Sequence, residues 1–577
     1  MRAYFLSISG LLAGLSAVAA VPHSPPCRYL PSDLQWPRPA QWQSLNQSVG
    51  GRLIRGEPLA SVCHGVDYNQ SACALLQASW TDPPLYPFSS RSSSCTLGNI
   101  ASYAINVTSP QDVAAGLAFA QTHNIRLSVK NTGHDFLGRS AGAGSLALWM
   151  HNLKDIQLLN YTSHGSGYSG PALKMDAGVQ AFEAYQVSAS HGYRVTGAFS
   201  PTVGLVGGYV QGGGHGPLQG AYGLAADNTL EFEVVTADGR HIVATPTENE
   251  DLYWALNGGG GGTYAVVLSQ TTKAHADGIV AGASLSFSAQ KTRINTKADS
   301  VAADPYWAAI EAWHRQLSVH DAIPKMTTLF GFTSTQFTLS AVSLPDSPAS
   351  AIDTILAPFT RELTTLGLQY TYELTNHPTH LDHYTTYTPG LPDGVAMTNS
   401  TVGGRLIPRQ TVQNALPDLI SALRQITAQP GSRINGIAAN LTHARVGNTI
   451  GSNAILPAWR DALYTLNMDG YFDPAAPREV IREHQAQMNR NQNLLKAVIQ
   501  GQGSGEIGKG GGAYLNEATF DNPDWREDYF GPNYPRLSEV KRKYDPGNLF
   551  YGPATVGSEH WRTASDGRLC VAGEGLW

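Results

Sequence analysis

The chain has 577 residues, well past the roughly 250–300 over which one hydrophobic core keeps growing, so a lone small domain is excluded. Hydrophobic residues make up 42% and charged residues only 14%, which excludes a disordered chain held open by its own charge. A formal net charge of −6 without any Lys/Arg-rich run leaves nothing to neutralise a phosphate backbone, so no nucleic acid partner is expected.

Residues 1–20 combine Arg2, an apolar stretch from Leu11 to Val18 and the small residues Val18-Ala19-Ala20, the pattern of a cleaved signal peptide. The mature protein is expected to start near Val21 and to be secreted; no later run approaches the ~20 apolar residues that span a bilayer. Asn-x-Ser/Thr sequons at Asn46, Asn69, Asn106, Asn160, Asn399 and Asn440 predict N-linked glycans. Of five cysteines, Cys27, Cys63, Cys73 and Cys95 are N-terminal and Cys570 stands alone; two disulfides are expected, Cys63–Cys73 first, with one thiol left over. No Cys-x-x-Cys pair is present, so no metal site is expected.

After a Pro/Ser-rich lead-in to about residue 100, Tyr103–Val107 reads as a strand. Ser109-Pro110-Gln111-Asp112 then starts a helix along which Val113, Leu117 and Ala120 recur, and Ile125–Val129 is the next strand. This unit delivers the chain into Asn131-Thr132-Gly133-His134-Asp135. Gly197–Gly223 is dense in glycine and carries polar residues. Beyond it, Thr229–Thr236 and Arg240–Thr245 flank Asp238-Gly239 as a hairpin. Asp251–Asn257 reads as a helix that ends in Gly258–Gly262, before the strand Tyr264–Leu268.

From about residue 275 to 500, helices over Tyr306–Leu317, Ala349–Leu366, Val412–Thr427 and Arg478–Gln500 alternate with strands in Thr327–Leu344 and at Gln369–Leu374, which predicts an antiparallel sheet covered by helices. The Gly501–Gly512 loop leads to Ala513–Glu517 and to a final helix with Leu537, Val540 and Tyr544 on one face, stopped by Asp545-Pro546-Gly547.

A surplus of 60 glycines needs a reason, because glycine weakens helices and strands, and backbone N–H groups that cradle a phosphate would supply one. Neither the Gly-x-x-x-x-Gly-Lys-Ser/Thr loop nor an early Gly-x-Gly-x-x-Gly helix opening is present, which disfavours an NTPase and a Rossmann-type NAD enzyme. Four segments in order, Val129–Ile156, Pro201–Asn228, Asp251–Val267 and the C-terminal NYPRLSEVKRKYDPGNLF, resemble the berberine-bridge-enzyme-like branch of the vanillyl-alcohol oxidase / p-cresol methylhydroxylase (PCMH) superfamily of FAD-linked oxidases, in its secreted fungal form.

The resemblance implies an α+β fold: a PCMH-type FAD-binding domain of two subdomains from residues 21–275 and 506–577, and a substrate domain from 276–505. His134 matches the histidine linked covalently to the 8α carbon of FAD. Asn131, Thr132, Gly133, Asp135 and Ser140 would cradle the pyrophosphate. Where bicovalent members carry a second attachment cysteine this chain has Ser200, so a single covalent bond is expected. Pro201, Thr202, Val203, Gly204, Gly207, Gly208, Gly213 and Gly214 would pass beside the flavin, with Val203 at a position that gates dioxygen. His215, Asp227 and Asn533 match the cofactor-facing stretches, although Asp227 could equally be a turn residue and His215 could serve structure, substrate or flavin. The family's Tyr-x-Asn-Tyr reads Tyr514-Leu515-Asn516-Glu517 here, and strand alternation would put Tyr514 and Asn516 on one face and Glu517 on the other. Tyr514, Glu517 and His215 are therefore the candidates for a catalytic base.

The function implied is a secreted oxidase that passes hydride from a small alcohol, sugar or related molecule to FAD and reduces dioxygen to hydrogen peroxide. Two alternatives stay open: a secondary-metabolism oxidase of the secretory pathway performing cyclisation or desaturation, and a binding glycoprotein that keeps FAD with little turnover.

Overall fold

The computed structural model describes residues 27–78, 95–162, 167–289, 304–394, 399–473, 476–501 and 511–572. The predicted signal peptide and most of the Gly501–Gly512 loop lie outside these residues.

A four-stranded sheet comes first: β1 (Leu53–Arg55), β2 (Tyr103–Asn106), β3 (Arg126–Lys130) and β4 (Ser145–Trp149), in the order β1-β2-β4-β3. Strands β2 and β3 both run parallel to β4, so the chain must cross over between them, and α1 (Pro110–Thr122) is that crossover. Its start is as expected: Pro110 is the first helical residue and the Ser109 hydroxyl accepts from the Asp112 N–H at 3.3 Å. The loop that follows β3 therefore leaves the sheet at residue 131.

The second sheet joins β5 (Ile156–Thr162), β6 (Ser169–Asp176), β7 (Thr229–Thr236), β8 (His241–Ala244) and β9 (Ala265–Lys273), in the order β5-β6-β9-β7-β8. Alternation along β9 sends Ala265 and Val267 into one core and Val266 and Leu268 into another, so both faces are covered and the strand reads as a continuous apolar run. The predicted hairpin about Asp238-Gly239 is the β7–β8 pair. Helix α2 (Ala181–Ser190) follows β6.

The third sheet has seven antiparallel strands: β10 (Val280–Ser288), β11 (Thr327–Phe332), β12 (Gln336–Pro345), β13 (Tyr370–His377), β14 (Ser400–Pro408), β15 (Ser432–Ala438) and β16 (Ala462–Tyr471), in the order β13-β10-β12-β11-β15-β16-β14. One face packs on α3 (Pro305–Ala322), α4 (Ala349–Thr365), α5 (Leu416–Thr427) and α6 (Arg478–Gln500), in a core drawn from residues 281–499 alone and centred on the fully buried Trp313. The other face carries Arg433, Asn435, Thr465, Asn467 and Asp469, in register across β15 and β16.

Three expectations change. The helix expected over Val412–Thr427 is broken at Ala415, where Pro417 begins a new helix, because proline cannot donate within a helix but fits its first turn. The lead-in to residue 100 contains a helix, Pro39–Ser48, whose Trp42 and Leu45 are buried. Ala513–Glu517 is not a strand, as described below. Two disulfides are present, Cys63–Cys73 and Cys27–Cys570, with Cys95 free; the second ties residue 27 to the last described strand.

The C-terminal return is locked to the third sheet by one buried ion pair. Arg405 on β14 donates to Asp528 Oδ2 at 2.8 Å, and both side chains are almost fully enclosed. Burial, the largest single influence, raises the Asp528 carboxyl, but the hydrogen bond and charge of Arg405, with Asn522 and Lys496, together hold it below the usual carboxylate range. That contribution is present at neutral pH and is lost as pH falls through the lowered value. Asp528→Asn leaves the Arg405 charge buried without its partner and is expected to cost about 3–5 kcal/mol. Thermal unfolding at pH 7 should show a clear drop in Tm relative to wild type, shrinking on acidification; an unchanged Tm would contradict this role.

Candidate functional site

Three chain segments meet above the first two sheets. The loop after β3 has Gly133 and Gly138 at positive φ, conformations that side chains rarely adopt, and this turns residues 131–141 back over the segment 200–208. The Asn131 side-chain amide donates to the Ala177 carbonyl and lies directly over Gly204 and Gly207, where any side chain would collide with it. The Gly204 N–H donates to Thr132 Oγ1 at 3.3 Å. Segment 200–204 is fixed on its other side by the start of α2: Phe182 N–H and Ala181 N–H donate to the Pro201 and Val203 carbonyls, and Gln180 Nε2 to the Thr202 carbonyl, all at 3.0 Å. Gly394 packs against Pro201, with Ser200 nearby.

His134 and Thr202 come together in this clasp, with His134 Nε2 2.8 Å from Thr202 Oγ1. Burial pushes the imidazole below the ordinary histidine range, so the ring is neutral at pH 7. Asp135 accepts from the Arg139 N–H at 2.6 Å and from Arg139 Nε at 2.7 Å. Arg139 in turn donates to Asn516 Oδ1 at 2.9 Å, and Asn516 Nδ2 reaches the Gly208 carbonyl at 2.8 Å and the Tyr514 hydroxyl at 2.9 Å. Loop, glycine segment and C-terminal return thus form one hydrogen-bonded unit.

Residues 514–517 form a turn closed by Glu517 N–H to Tyr514 C=O at 2.9 Å, which corrects the strand expected there. Alternation no longer holds, and Tyr514 and Glu517 meet the same histidine. Glu517 Oε1 is 2.8 Å from His215 Nε2, while the Tyr514 ring meets the imidazole edge-on at 4.9 Å. Phe199 and Trp459 complete an aromatic surround, with centroids 6.1 and 6.4 Å from His215. His215 Nδ1 is buried without a hydrogen-bond partner among the described residues. Burial first, then the Glu517 charge, raises the Tyr514 hydroxyl well above the ordinary tyrosine value. Gly213 and Gly214, both at positive φ, make the turn that presents His215, and Tyr209 donates to the His215 carbonyl at 3.1 Å.

The remaining predicted residues fall in three ways. Ser140 is half-buried in the 131–141 loop, and Val203 packs beside the core that holds Tyr514. Gly208 faces open space, where an added Cβ would meet nothing within 4 Å. Asn533 donates to the carbonyls of Ala454 and Ile455 at 3.1 and 3.2 Å. The Asp227 side chain is fully enclosed, paired with Arg460 at 2.7 Å and accepting from Asn448, Asn453 and the Leu224 N–H, the last at 3.0 Å, so it holds its own turn and clamps the second sheet's entry to the 440–460 segment.

Sequence reasoning missed Arg139, Phe199, Trp459 and Asp469. Asp469 is a buried carboxyl that accepts from Asn435 Nδ2 at 2.7 Å; desolvation raises it to about 6, and the Glu517 charge adds to the rise. Only Arg139 carried a local signal, the i,i+4 spacing from Asp135 within the histidine loop.

Residues 101–245 match the FAD binding domain family and residues 513–557 the berberine and berberine-like family. The chain is 40% identical to the VAO-type flavoprotein oxidase VAO615 of Thermothelomyces thermophilus, over 98% of this chain and 99% of that protein. The crystal structure of MtVAO615 from Myceliophthora thermophila C1 superposes with a TM-score of 0.85 at 39% identity, covering 95% of this chain and all of that one. The bifunctional decalin synthase calF of Penicillium decumbens is 40% identical over 98% of this chain and its whole length. A glucooligosaccharide oxidase of Acremonium strictum, with a 6-S-cysteinyl, 8α-N1-histidyl FAD, shares the fold at a TM-score of 0.65 and 18% identity, over 89% of this chain and 99% of that one.

Asp227→Ala tests the clamp. Stranding the Arg460 charge is expected to cost about 3–5 kcal/mol of stability, read as a lowered Tm, while the folded fraction keeps its flavin. Loss of flavin at unchanged Tm would return Asp227 to the cofactor.

Proposed function

Because the chain belongs to the berberine-bridge-enzyme-like branch of the vanillyl-alcohol oxidase superfamily of FAD-linked oxidoreductases, we propose that it is a secreted, N-glycosylated oxidase that holds FAD by a single covalent bond at His134. It oxidises a small alcohol, sugar or related molecule with dioxygen as acceptor. Residues 21–275 and 506–577 form the FAD-binding domain, and residues 276–505 roof it with the polar face of the third sheet.

The residues fit the cofactor. Gly208 borders open space, the Asn131–Asp135 loop makes a tight turn at Gly133, and two buried polar atoms, Asn131 Oδ1 and His215 Nδ1, lack partners among the described residues. Asn131–Asp135 with Ser140 would hold the pyrophosphate, and Ser200–Gly204 with Gly207, Gly208, Gly213 and Gly214 would line the ring system. Ser200 offers a hydroxyl, which forms no thioether, and the one free thiol among the described residues, Cys95, lies outside these segments. When bound, FAD supplies the two-electron acceptor for a substrate hydride and hands the pair to dioxygen, giving hydrogen peroxide.

The observation that carries the reading is the Glu517–His215 pair at 2.8 Å in an aromatic surround. A substrate hydroxyl must lose its proton as its carbon loses hydride, and the pair provides an acceptor held in place. Tyr514, whose hydroxyl burial keeps protonated, orients rather than accepts. The aromatic surround also supports a second reading, oxidative cyclisation or desaturation of a bulky molecule in the secretory pathway, in keeping with the decalin synthase among the relatives.

Peroxide release in a screen of alcohols, sugars and aromatic alcohols tests the first reading. On any active substrate, Glu517→Gln is expected to lower kcat about 10²–10⁴-fold with flavin content unchanged. Turnover unaffected by this change would remove the pair from the mechanism, and conversion of a bulky precursor without alcohol oxidation would favour the second reading.

A further inference from the structure

Among the described residues the His134 ring has one side-chain hydrogen-bond partner, the Thr202 hydroxyl, 2.8 Å from Nε2. That hydroxyl is on a rigid support. The carbonyls of residues 201, 202 and 203 all accept hydrogen bonds from the start of α2, and the next N–H, of Gly204, donates back into the histidine loop through Thr132. The position of Thr202 is thus fixed from both sides, with its hydroxyl aimed at one ring nitrogen. A neutral imidazole carries one N–H and one lone pair, and the hydrogen bond made at one nitrogen decides where the lone pair sits. The Thr202 backbone adds a hydrogen bond to the ring, which opposes the effect of burial. Burial keeps the ring neutral and so leaves a lone pair to offer.

We propose that Thr202 is a positioning residue for attachment of the cofactor: its hydroxyl accepts from Nε2–H, holds the tautomer with the lone pair on Nδ1, and stabilises the positive charge as the ring becomes cationic before the Nε2 proton leaves to water. The inference rests on the reading that His134 is the attachment point. The bond formed is Nδ1 to the 8α carbon. The bonds broken are one C–H at that carbon and the Nε2–H. The electron pair left by the carbon passes into the flavin ring system and is removed by dioxygen, which takes up the two protons as hydrogen peroxide, so the site needs no other oxidant. A serine would keep the acceptor oxygen, and a valine would keep the shape and lose it.

Full-length protein is purified, and flavin retained by the acid-precipitated polypeptide is measured against total FAD, with the non-covalent remainder followed over time in air. Wild type is expected to hold its FAD covalently. In Thr202→Val, conversion to the covalent form, expressed per FAD bound, should be about ten- to a hundredfold slower, since a hydrogen bond to a developing charge is lost, and Thr202→Ser should restore it. Thr202→Ala, which cannot clash, should behave as valine does. Attachment in the valine and alanine variants as fast as in wild type would overturn the proposal, as would failure of the serine variant with a matching loss of total FAD. Wild type that releases all its FAD would overturn the His134 reading itself, which separates the two failures.

Discussion

The Arg139 guanidinium holds together chain segments 377 residues apart, reaching from Asp135 in the histidine loop to Asn516 in the C-terminal return. Without it the 131–141 loop would be anchored mainly through Asn131, Thr132 and the His134–Thr202 contact, and ordering a loop residue costs about 1–2 kcal/mol of backbone entropy. Charge-assisted hydrogen bonds of about 1.5–3 kcal/mol each offset part of that cost, and enclosure of the guanidinium, with 9% of the side chain exposed, protects them from water. Asn516 extends the network to the Gly208 carbonyl and the Tyr514 hydroxyl, so the same unit that orders the loop also sets the turn carrying Glu517.

From that turn the polar path continues onto the third sheet. Gly404 on β14 packs under the Glu517 carbonyl, and its cross-strand neighbour Asn467 stands beside Asn435 in the same row. The next row places Asp469 against Arg433, with Arg433 Nε donating to Asn435 Oδ1 at 2.9 Å. A sheet whose other face is filled by Trp313, Phe330 and Phe337 has little freedom to move these side chains, so the apolar core beneath fixes the polar geometry above.

The family resemblance pointed to the histidine loop and the Gly197–Gly223 stretch, and the structure brings these two together where glycines let the backbones touch. The α1 crossover, the β7–β8 hairpin and the Cys63–Cys73 bridge followed from local patterns. The turn at 514–517 did not, since Tyr-Leu-Asn-Glu alternates as a strand would and only the contacts of Asn516 impose the reversal. Asp227 lay in a glycine-rich stretch that suggested a cofactor contact, but its partner Arg460 is 233 residues away. Cys27 and Cys570, 543 residues apart, likewise carry no local sign of each other.

The account rests on FAD being joined to the loop between β3 and β4, at His134 and nowhere else. Peptide mapping of the purified protein by mass spectrometry tests this most directly. The account predicts that the peptide containing His134 is heavier by one FAD less two hydrogens, and that the peptide containing Ser200 is unmodified. An unmodified His134 peptide, or flavin found on any other residue, would contradict it.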